Sequence, residues 1–580
     1  MKWFLSDLPR VTAERIAIET LAAEADWLTD LHWGFDQQAR LRLQFTIVVG
    51  QQSYALWMTY PDFFPFTPPD ISPVESDRRL SSHQYPNGNL CLEYRPDNWE
   101  PHFTGADLIR SAHRLISTEH PAEGPPQRVQ SAHSLTKGQE LRSEPCRYLV
   151  TADIRQFINT MTEDLPLRAE VRLVSHASSS SAFVSKLSLA DGSEWVPRGI
   201  PKIGYAYRGI LVRLGKPGMK ALIEDSTGGL ARHLRNAYAE AMPTPLVDYA
   251  DREFIIATDG ADIHLIWQLA RDKEQMTQFI TVDIDDDVQR LPPGYEILSD
   301  KKVALVGCGS IGSKVAVSLA RSGVGHFFLV DDDILVRKNL VRNDLDWRSM
   351  GGHKADGVAK RVRMVNPEVT VKSRHIHLSG QESAASAAAV LAQIAECDLI
   401  VDATADPRVF NLLSSVSVAS IKPMVWCEVF AGGIGGLVAR HRPGADHPPQ
   451  TMRAILRTWF REQDVPWTGG VGTDYGNDDP VGTPLVADDG DVSVIAAHAS
   501  RMATDILLDG TTFPHSMYVL GLKNGWKFDQ PFEAYPIEGA DPFVAKPLVD
   551  LANPSTNEAI DFLSQLFEAA GNETAPARQD

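Results

Sequence analysis

Cysteine is scarce in this sequence. Five are present in 580 residues, at positions 91, 146, 308, 397 and 427, with no C-x-x-C pair. That excludes a disulfide framework and a cysteine-rich zinc site. It suits a reducing cytosol, where a lone thiol is core filler or a reagent. Basic charge is also in deficit: 56 Lys and Arg against 75 Asp and Glu leave a net charge of −19. A generally nucleic-acid-binding surface is excluded, because phosphate binding needs a basic field, but a local basic pocket is not. No uncharged apolar run of about 18 residues occurs, so no membrane span is expected. The opening residues Met1 to Asp7 lack the apolar core and cleavage site of a targeting segment. Apolar residues at 43% and charged residues at 23% exclude a mostly disordered, collagen-like or coiled-coil chain. The length suggests three or four domains at roughly 150 residues each.

Along the chain, Leu8, Val11, Ile16, Ile18, Leu21, Ala22 and Leu28 recur at helical spacing and predict a helix over 8–30. Leu41, Leu43, Phe45, Ile47 and Val49 alternate and predict a strand, with a second over Tyr54 to Tyr60 after a Gln-Gln-Ser turn. The Pro-rich run Phe63 to Pro69 fits neither a helix nor a central strand. Residues 104–118 read as a helix. The predicted domains are a first unit over 1–122, a linker over 123–144, a central α+β domain over 145–295, an α/β domain over 296–550 and a tail over 551–580. In the central domain Ser178 to Ser181 reads as a flexible tip. From 301 the pattern becomes strand, glycine loop, helix, strand, the start of a doubly wound α/β unit. A helix is expected over Asp491 to Leu508 with Asp491 as its N-cap.

Two places carry chemistry. In the first, Gly307-Cys308-Gly309-Ser310-Ile311-Gly312 follows a buried-type strand and opens a helix. Small residues admit a phosphate to the backbone, and the helix N-terminus offers N–H donors. A tight βα turn would give the same pattern. The next strand ends in Asp331-Asp332-Asp333, where an acid commonly bonds a ribose hydroxyl. Asn339, Arg342 and Lys354 follow. An acid, an amide and two cations suit a triphosphate better than a nicotinamide, since cations neutralise charge as pyrophosphate leaves.

The segments Leu329-Val330-Asp331-Asp332-Asp333, Asn339-Leu340-Val341-Arg342, Gly352-His353-Lys354-Ala355 and Asn366-Pro367 resemble the ThiF/MoeB and ubiquitin-activating adenylation domains over about 296–525. The resemblance implies an ATP site made by Gly307, Gly309, Ser310, Gly312, Asp331, Asn339, Arg342 and Lys354. It also implies Mg²⁺ and a catalytic aspartate after a later strand. The chain there reads Asp402-Ala403-Thr404-Ala405-Asp406, one residue longer than the family's pattern. Asp406 is the first choice as catalytic and Mg²⁺-linked residue and Asp402 the second. Either could instead cap a strand end. No zinc is expected, because the family's paired cysteines are missing.

The second place is Cys91, in Tyr85-Pro86-Asn87-Gly88-Asn89-Leu90-Cys91-Leu92. A thiol beside a tight turn can attack a carbonyl as a thiolate, and a nearby amide can hold an oxyanion. A buried core thiol is the competing reading. With Tyr60-Pro61, Phe64 to Pro69 and Trp99-x-Pro101, the first 122 residues resemble a ubiquitin-conjugating domain. That makes Cys91 the thioester nucleophile and Asn87 its oxyanion amide. Tyr85 stands where that family has a histidine, with His83 two residues earlier.

The order of the two domains resembles the bacterial fusions of ubiquitin-conjugating and ubiquitin-activating domains in CBASS anti-phage operons. The fold class implied is multidomain α+β and α/β. The function implied is cytoplasmic ATP-dependent activation of a donor protein's C-terminus, its capture on Cys91 and its conjugation to an amine. The donor would be a cGAS-like nucleotidyltransferase or a ubiquitin-like protein, the acceptor a protein or small-molecule amine, and the enzyme a homodimer without nucleic-acid or membrane partners. Joining both activities in one chain raises their effective concentration.

Such fusions carry a second cysteine in the crossover loop, and Val465 to Asp491 has none. Direct transfer to Cys91, an oxyester on Thr473 or Thr483, and a cysteine replaced by substitution are the three explanations, the first preferred. Cys308, Cys397 and Cys427 read as turn or core filler. His375 and His377 read as alternating on a short surface strand rather than as a metal pair. Asp283, Asp285, Asp286 and Asp287 read as a solvated loop, and Arg440-His441-Arg442 as an exposed run. A sulfur-carrier adenylyltransferase with a vestigial front domain, and a non-enzymatic scaffold for the donor protein, are the alternative functions.

Overall fold

The computed structural model describes residues 2–75, 80–81, 84–85, 87–122, 136–161, 167–213, 252–258, 263–269, 276–285, 291–463, 487–525, 527–538 and 554–573. The chain divides into two compact units, Met1–Glu144 and Pro145–Asp580.

The first unit begins with helix α1 (Leu8–Glu24), whose N-cap Asp7 accepts the Arg10 N–H at 3.1 Å. The helix stops six residues short of the expected end. Leu28 instead opens strand β1 (Leu28–Phe35) and pairs with Ile47. Ladder pairing and burial of Leu28 override a periodicity that local spacing alone had extended. Strand β2 (Leu41–Val49) alternates as expected, with Leu43, Phe45 and Ile47 fully buried. The turn falls at Gly50-Gln51, not Gln-Gln-Ser, because Gly50 takes the positive φ of 58°. Strand β3 (Gln52–Thr59) therefore starts earlier, and β4 (Asp70–Pro73) completes an antiparallel sheet in the order β1-β2-β3-β4. Helix α2 (Gly105–Glu119) starts at a Thr104/Asp107 capping box. Buried Glu14 of α1 ties these pieces together. Its carboxylate accepts the Tyr60 hydroxyl at 2.8 Å and the Gly105 N–H at 2.7 Å.

The second unit holds two sheets. In the first, strands β5 (Cys146–Val150), β6 (Leu167–Ser175), β7 (Ser180–Ser188), β9 (Tyr205–Arg213), β10 (Arg252–Thr258), β11 (Ile263–Leu269) and β12 (Met276–Asp283) follow the order β5-β12-β11-β10-β9-β6-β7. Strand β5 also pairs with β7, so these seven described strands close into a barrel, and the short β8 (Glu194–Trp195) extends β7. Tyr148, Val171, Leu211, Phe254 and Phe279 fill it, with Ile154 and Ile158 of α3 (Ala152–Thr160). A barrel this small is packed with side chains rather than hollow. The expected tip at Ser178 to Ser181 is instead partly strand. Ser181 is buried in β7, with its Oγ 3.2 Å from His176 Nε2.

The other sheet is eight-stranded. Strands β13 (Lys302–Val306), β14 (His326–Val330), β15 (Thr370–Arg374), β16 (Leu399–Asp402) and β17 (Met424–Phe430) are parallel, in the order β15-β14-β13-β16-β17. Then β18 (Gly435–His441), β19 (Met517–Gly521) and β20 (Ala534–Ile537) add antiparallel strands, so the βα alternation ends at β17. Helices α4 (Ser310–Arg321) and α5 (Lys354–Val365) cover one face. Helices α6 (Ala384–Ala395), α7 (Pro407–Ala419) and α8 (Pro449–Glu462) cover the other. Both faces of the central strands are buried, which explains their unbroken apolar reading. Helix α9 (Asp489–Leu507) packs with α4 and α5. Its N-cap is Asp488, which accepts the Asp491 N–H at 2.8 Å, and Asp491 lies inside the first turn. Residues expected as tail include helix α10 (Pro554–Glu573).

Candidate functional site

Strand order reverses at β13, whose neighbours are β14 on one side and β16 on the other. In a doubly wound sheet, ligands bind in the crevice above such a point. The Gly307 turn sits there. Gly307 has φ +90°, and a Cβ on it would lie 2.9 Å from the Ala403 carbonyl after β16. A Cβ on Gly312 would lie 1.8 Å from the Gly307 oxygen, so α4 packs directly on the turn. A Cβ on Gly309 would meet nothing within 4 Å. Two glycines are thus demanded by packing, and the third leaves open space before the N-terminus of α4, where Ser310 is the first helical residue.

Asp331, at the end of β14, turns its carboxylate onto this loop. Oδ2 accepts the Cys308 N–H at 2.7 Å and Oδ1 the Asp333 N–H at 2.9 Å. Burial raises its pKa against the pull of those two N–H groups. Asn339 Oδ1 accepts the Val336 N–H at 2.9 Å, and Arg342 Nη1 donates to the Ala487 carbonyl at 3.4 Å. Lys354 is buried at the start of α5, with Nζ on the Asp333 carboxylate. Burial would raise the Asp333 pKa, but the Lys354 contact wins and lowers it. Buried Asn343 was not singled out from sequence, yet its Nδ2 donates to the Cys308 carbonyl at 3.2 Å. Its only sequence signal is its place directly after Arg342.

Across the crevice, Asp402 ends β16 with 3% exposure. Its Oδ1 accepts the Thr404 N–H at 3.0 Å and hydroxyl at 2.7 Å. Burial pushes its pKa up to about 6. Between the two acids, Ala405 has φ 56°, a left-handed conformation costly for a residue with a Cβ. Asp406 caps a helix rather than the strand end of its alternative reading. It is the N-cap of α7, accepting the Arg408 N–H at 2.7 Å and the guanidinium at 3.1 Å, and Ser379 Oγ donates to it at 3.4 Å. Burial acts to raise its pKa, but the Arg408 bonds prevail and lower it. A cavity of about 20 Å³, room for one water, lies among Asp402, Asp406, Cys427, Glu428 and Arg453. Burial pushes Glu428 up to about 7, partly offset by Arg453. An acid inside the apolar run Met424 to Val429 was the missed signal.

In the first unit, Cys91 is half-buried. Its thiol donates to the Tyr85 hydroxyl at 3.4 Å, and Arg95 Nη1 lies 4.0 Å from the sulfur. The turn that makes this contact is closed by Gly88 N–H to the Tyr85 carbonyl at 2.9 Å. Asn87 Oδ1 accepts the Asn89 N–H at 3.3 Å. His83 lies outside the described residues.

Cys308, Cys397 and Cys427 are buried. Burial raises all three thiols, Cys397 to about 11. Thr473 and Thr483 lie outside the described residues, as do Asp286 and Asp287. Asp283 pairs with Arg155, and Asp285 accepts the Ala152 N–H at 2.6 Å. His375 and His377 follow β15 rather than alternating on it. The His375 ring stacks on His353 at 3.9 Å, and His377 Nδ1 meets Ser379 Oγ at 3.3 Å. The run 440–442 is not simply exposed: Arg440 and His441 are buried, with Arg440 paired to Asp505 at 3.1 Å. They belong to β18, all of whose residues are buried.

Residues 287–452 match the family model described as the ThiF family. All eight ATP-site candidates and Asp406 fall in that span, whereas Cys91 and Asn87 fall outside it. The chain is 33% identical over 169 residues to uncharacterized protein y4oA of Sinorhizobium fredii, covering 28% of each. It is 35% identical over 129 residues to the adenylyltransferase and sulfurtransferase uba4 of Emericella nidulans, covering 22% of this chain and 25% of that one. It is 30% identical over 131 residues to the ATP-dependent ubiquitin transferase-like protein Cap2 of Pseudomonas aeruginosa, covering 22% of each. In these three alignments the chain spans about a quarter of the relative's length. The region over 287–452, which includes β13–β17, is thus ThiF-like and of Rossmann type.

Proposed function

We propose that this chain activates the C-terminus of a donor protein with ATP and captures it on Cys91. The observation that carries the first half is the open space before Gly309, flanked by Asp331, Lys354 and the N-terminus of α4. These groups fit a nucleotide. Backbone N–H groups and Lys354 take the phosphates, and Asn339 and Arg342 stand on the same side chain-rich loop. Asp331 orients the glycine turn and is placed for the ribose. The fit for Mg²⁺ is poorer. Asp406 is engaged by Arg408, and no group of three His, Cys, Asp or Glu among the described residues could hold an ion.

The donor carboxylate attacks the α-phosphorus, forming the acyl-adenylate as the bond to pyrophosphate breaks. The Cys91 sulfur then attacks the acyl carbon, and AMP leaves. An amine attacks the thioester, and the thiol is released. The Tyr85 hydroxyl and the Arg95 guanidinium stand beside the Cys91 sulfur. The helix, four-stranded antiparallel sheet and helix of the first unit support reading it as a ubiquitin-conjugating domain. Likeness to an ATP-dependent ubiquitin transferase-like protein supports a ubiquitin-like donor; the anti-phage setting and a cGAS-like donor rest on the domain order in the sequence. The likeness to uba4 favours a second reading, adenylation for sulfur transfer, in which Cys91 is dispensable.

The test uses the purified protein with ATP and the product of a neighbouring cGAS-like or ubiquitin-like gene. A reductant-sensitive adduct on a non-reducing gel is expected with wild type. It is lost in Cys91→Ala and in Lys354→Ala. An adduct unchanged in Cys91→Ala removes Cys91 as acceptor. ATP–pyrophosphate exchange by wild type with no reductant-sensitive adduct, unchanged in Cys91→Ala, selects the sulfur-transfer reading.

A further inference from the structure

Beside the Asp402–Asp406 loop, helices α7 and α8 enclose an open groove of about 880 Å³, in the range of ligand pockets. Its lining includes four arginines, Arg408, Arg453, Arg457 and Arg461, with Asn411 and Gln450. Three of them recur every fourth residue on α8, so they form one stripe about 12 Å long at 1.5 Å per residue. In a chain of net charge −19, such a stripe is a local exception.

Its charge is only partly answered by neighbouring acids. Asp406 takes Arg408 at 3.1 Å. Arg461 bonds Thr458 Oγ1 at 3.1 Å and the Arg457 carbonyl at 3.4 Å, both neutral acceptors. Arg453 stacks over Phe410 at 4.7 Å and lines the small cavity with Asp402 and Glu428 as well as the groove. Burial holds both of those acids toward their neutral forms, which lowers the charge they return to Arg453. Arg457 and Arg461 are exposed.

We infer that this groove binds an acidic peptide segment in extended form, lying along α8 with one end at the Asp406 loop. Guanidinium forks receive carboxylates in two parallel hydrogen bonds, and a stripe repeating every 6 Å, by the rise per residue, matches alternate side chains of an extended chain. Because the groove ends where adenylyl transfer from ATP to the donor carboxylate is proposed, the peptide is the stretch that precedes the donor's C-terminus. This part rests on the function proposed above. Acidic character near that C-terminus becomes a specificity requirement set by Arg457 and Arg461.

The test is direct binding by fluorescence anisotropy to the full chain, without nucleotide. The probe is a fluorescein-labelled peptide of alternating Asp and Gly with a free C-terminus. The comparisons are a Lys-Gly peptide of equal length and inorganic tripolyphosphate. Wild type is expected to bind the acidic peptide, more weakly as salt rises, and not the basic one. Arg457→Glu/Arg461→Glu is expected to weaken binding at least tenfold while ATP binding is unchanged. Arg457→Gln/Arg461→Gln, with less risk to folding, is expected to weaken it several-fold. No binding by wild type, or equal binding by both double variants, overturns the inference. So does a groove that takes tripolyphosphate and not the peptide. Peptide binding by wild type that shows neither ATP binding nor ATP–pyrophosphate exchange keeps the groove and removes the activation reading instead.

Discussion

The Asp331 carboxylate holds the Cys308 backbone N–H at 2.7 Å, joining the end of one strand to the glycine turn of its neighbour. The contact makes Asp331 a part of the loop's geometry before any nucleotide arrives. Replacing it with alanine leaves that N–H without its charged acceptor. The expected loss of stability is about 1.5–3 kcal/mol, the range for a hydrogen bond to a charged group. ATP affinity should fall at least tenfold by calorimetry, because the loop loses its shape and the ribose its acid. Asp332→Ala, at an exposed position, should stay near wild type in both measurements.

Asp402 gives a pH dependence with a definite sign. Its pKa is raised from 3.8 to about 6. The folded chain therefore holds this proton more tightly than the unfolded chain does. Stability falls as pH rises from about 4 through about 6 on this account, by about 3 kcal/mol in total at 1.36 kcal/mol per unit. Asp402→Asn keeps an acceptor for Thr404 and removes the titration. Urea denaturation at acid and neutral pH should show a flatter pH slope for the variant. Equal slopes would mean that Asp402 titrates normally.

Thiol chemistry separates the five cysteines. Cys91 and Cys146 are partly exposed, while Cys308, Cys397 and Cys427 are buried with raised pKa values. Thiolates react and buried thiols do not. Iodoacetamide at neutral pH should modify positions 91 and 146 in the native chain and all five after denaturation, read by peptide mass spectrometry. Native modification at Cys427 would contradict its place inside β17.

The pair Arg440–Asp505 sits almost wholly out of solvent, at 1% and 5% side-chain exposure. Asp505→Ala leaves a buried guanidinium uncompensated, at a cost of about 3–5 kcal/mol. The loss should appear as a lower urea midpoint with an unchanged slope. A change below 1 kcal/mol, the scale of exposed pairs, would place this run on the surface, as local sequence suggested.

Much of the α/β domain was legible because its signals are local. The strand before Gly307, the strand ending at Asp331 and the buried apolar runs each reflect a period or a turn within a few residues. What failed were the features that depend on distant partners. Leu28 read as helix until pairing with Ile47 made it strand. Arg440 looked exposed because its partner is 65 residues away. The closure of β5 onto β7 has no local signature at all.

The sequence by itself determined the glycine turn, the positions of the acids and cations around it, and the isolation of Cys91 from any second cysteine nearby. These follow from residue type and spacing. Only the tertiary structure decided which roles they take. It turned Asp331 onto the Cys308 amide, spent Asp406 on Arg408, buried Asp402 and Glu428, and set Tyr85 and Arg95 against the Cys91 sulfur. It also gathered arginines from two helices into one groove. The physical reason is that burial and charge pairing act through space. A carboxylate's ionisation and a guanidinium's partner are set by neighbours that the linear chain keeps far apart.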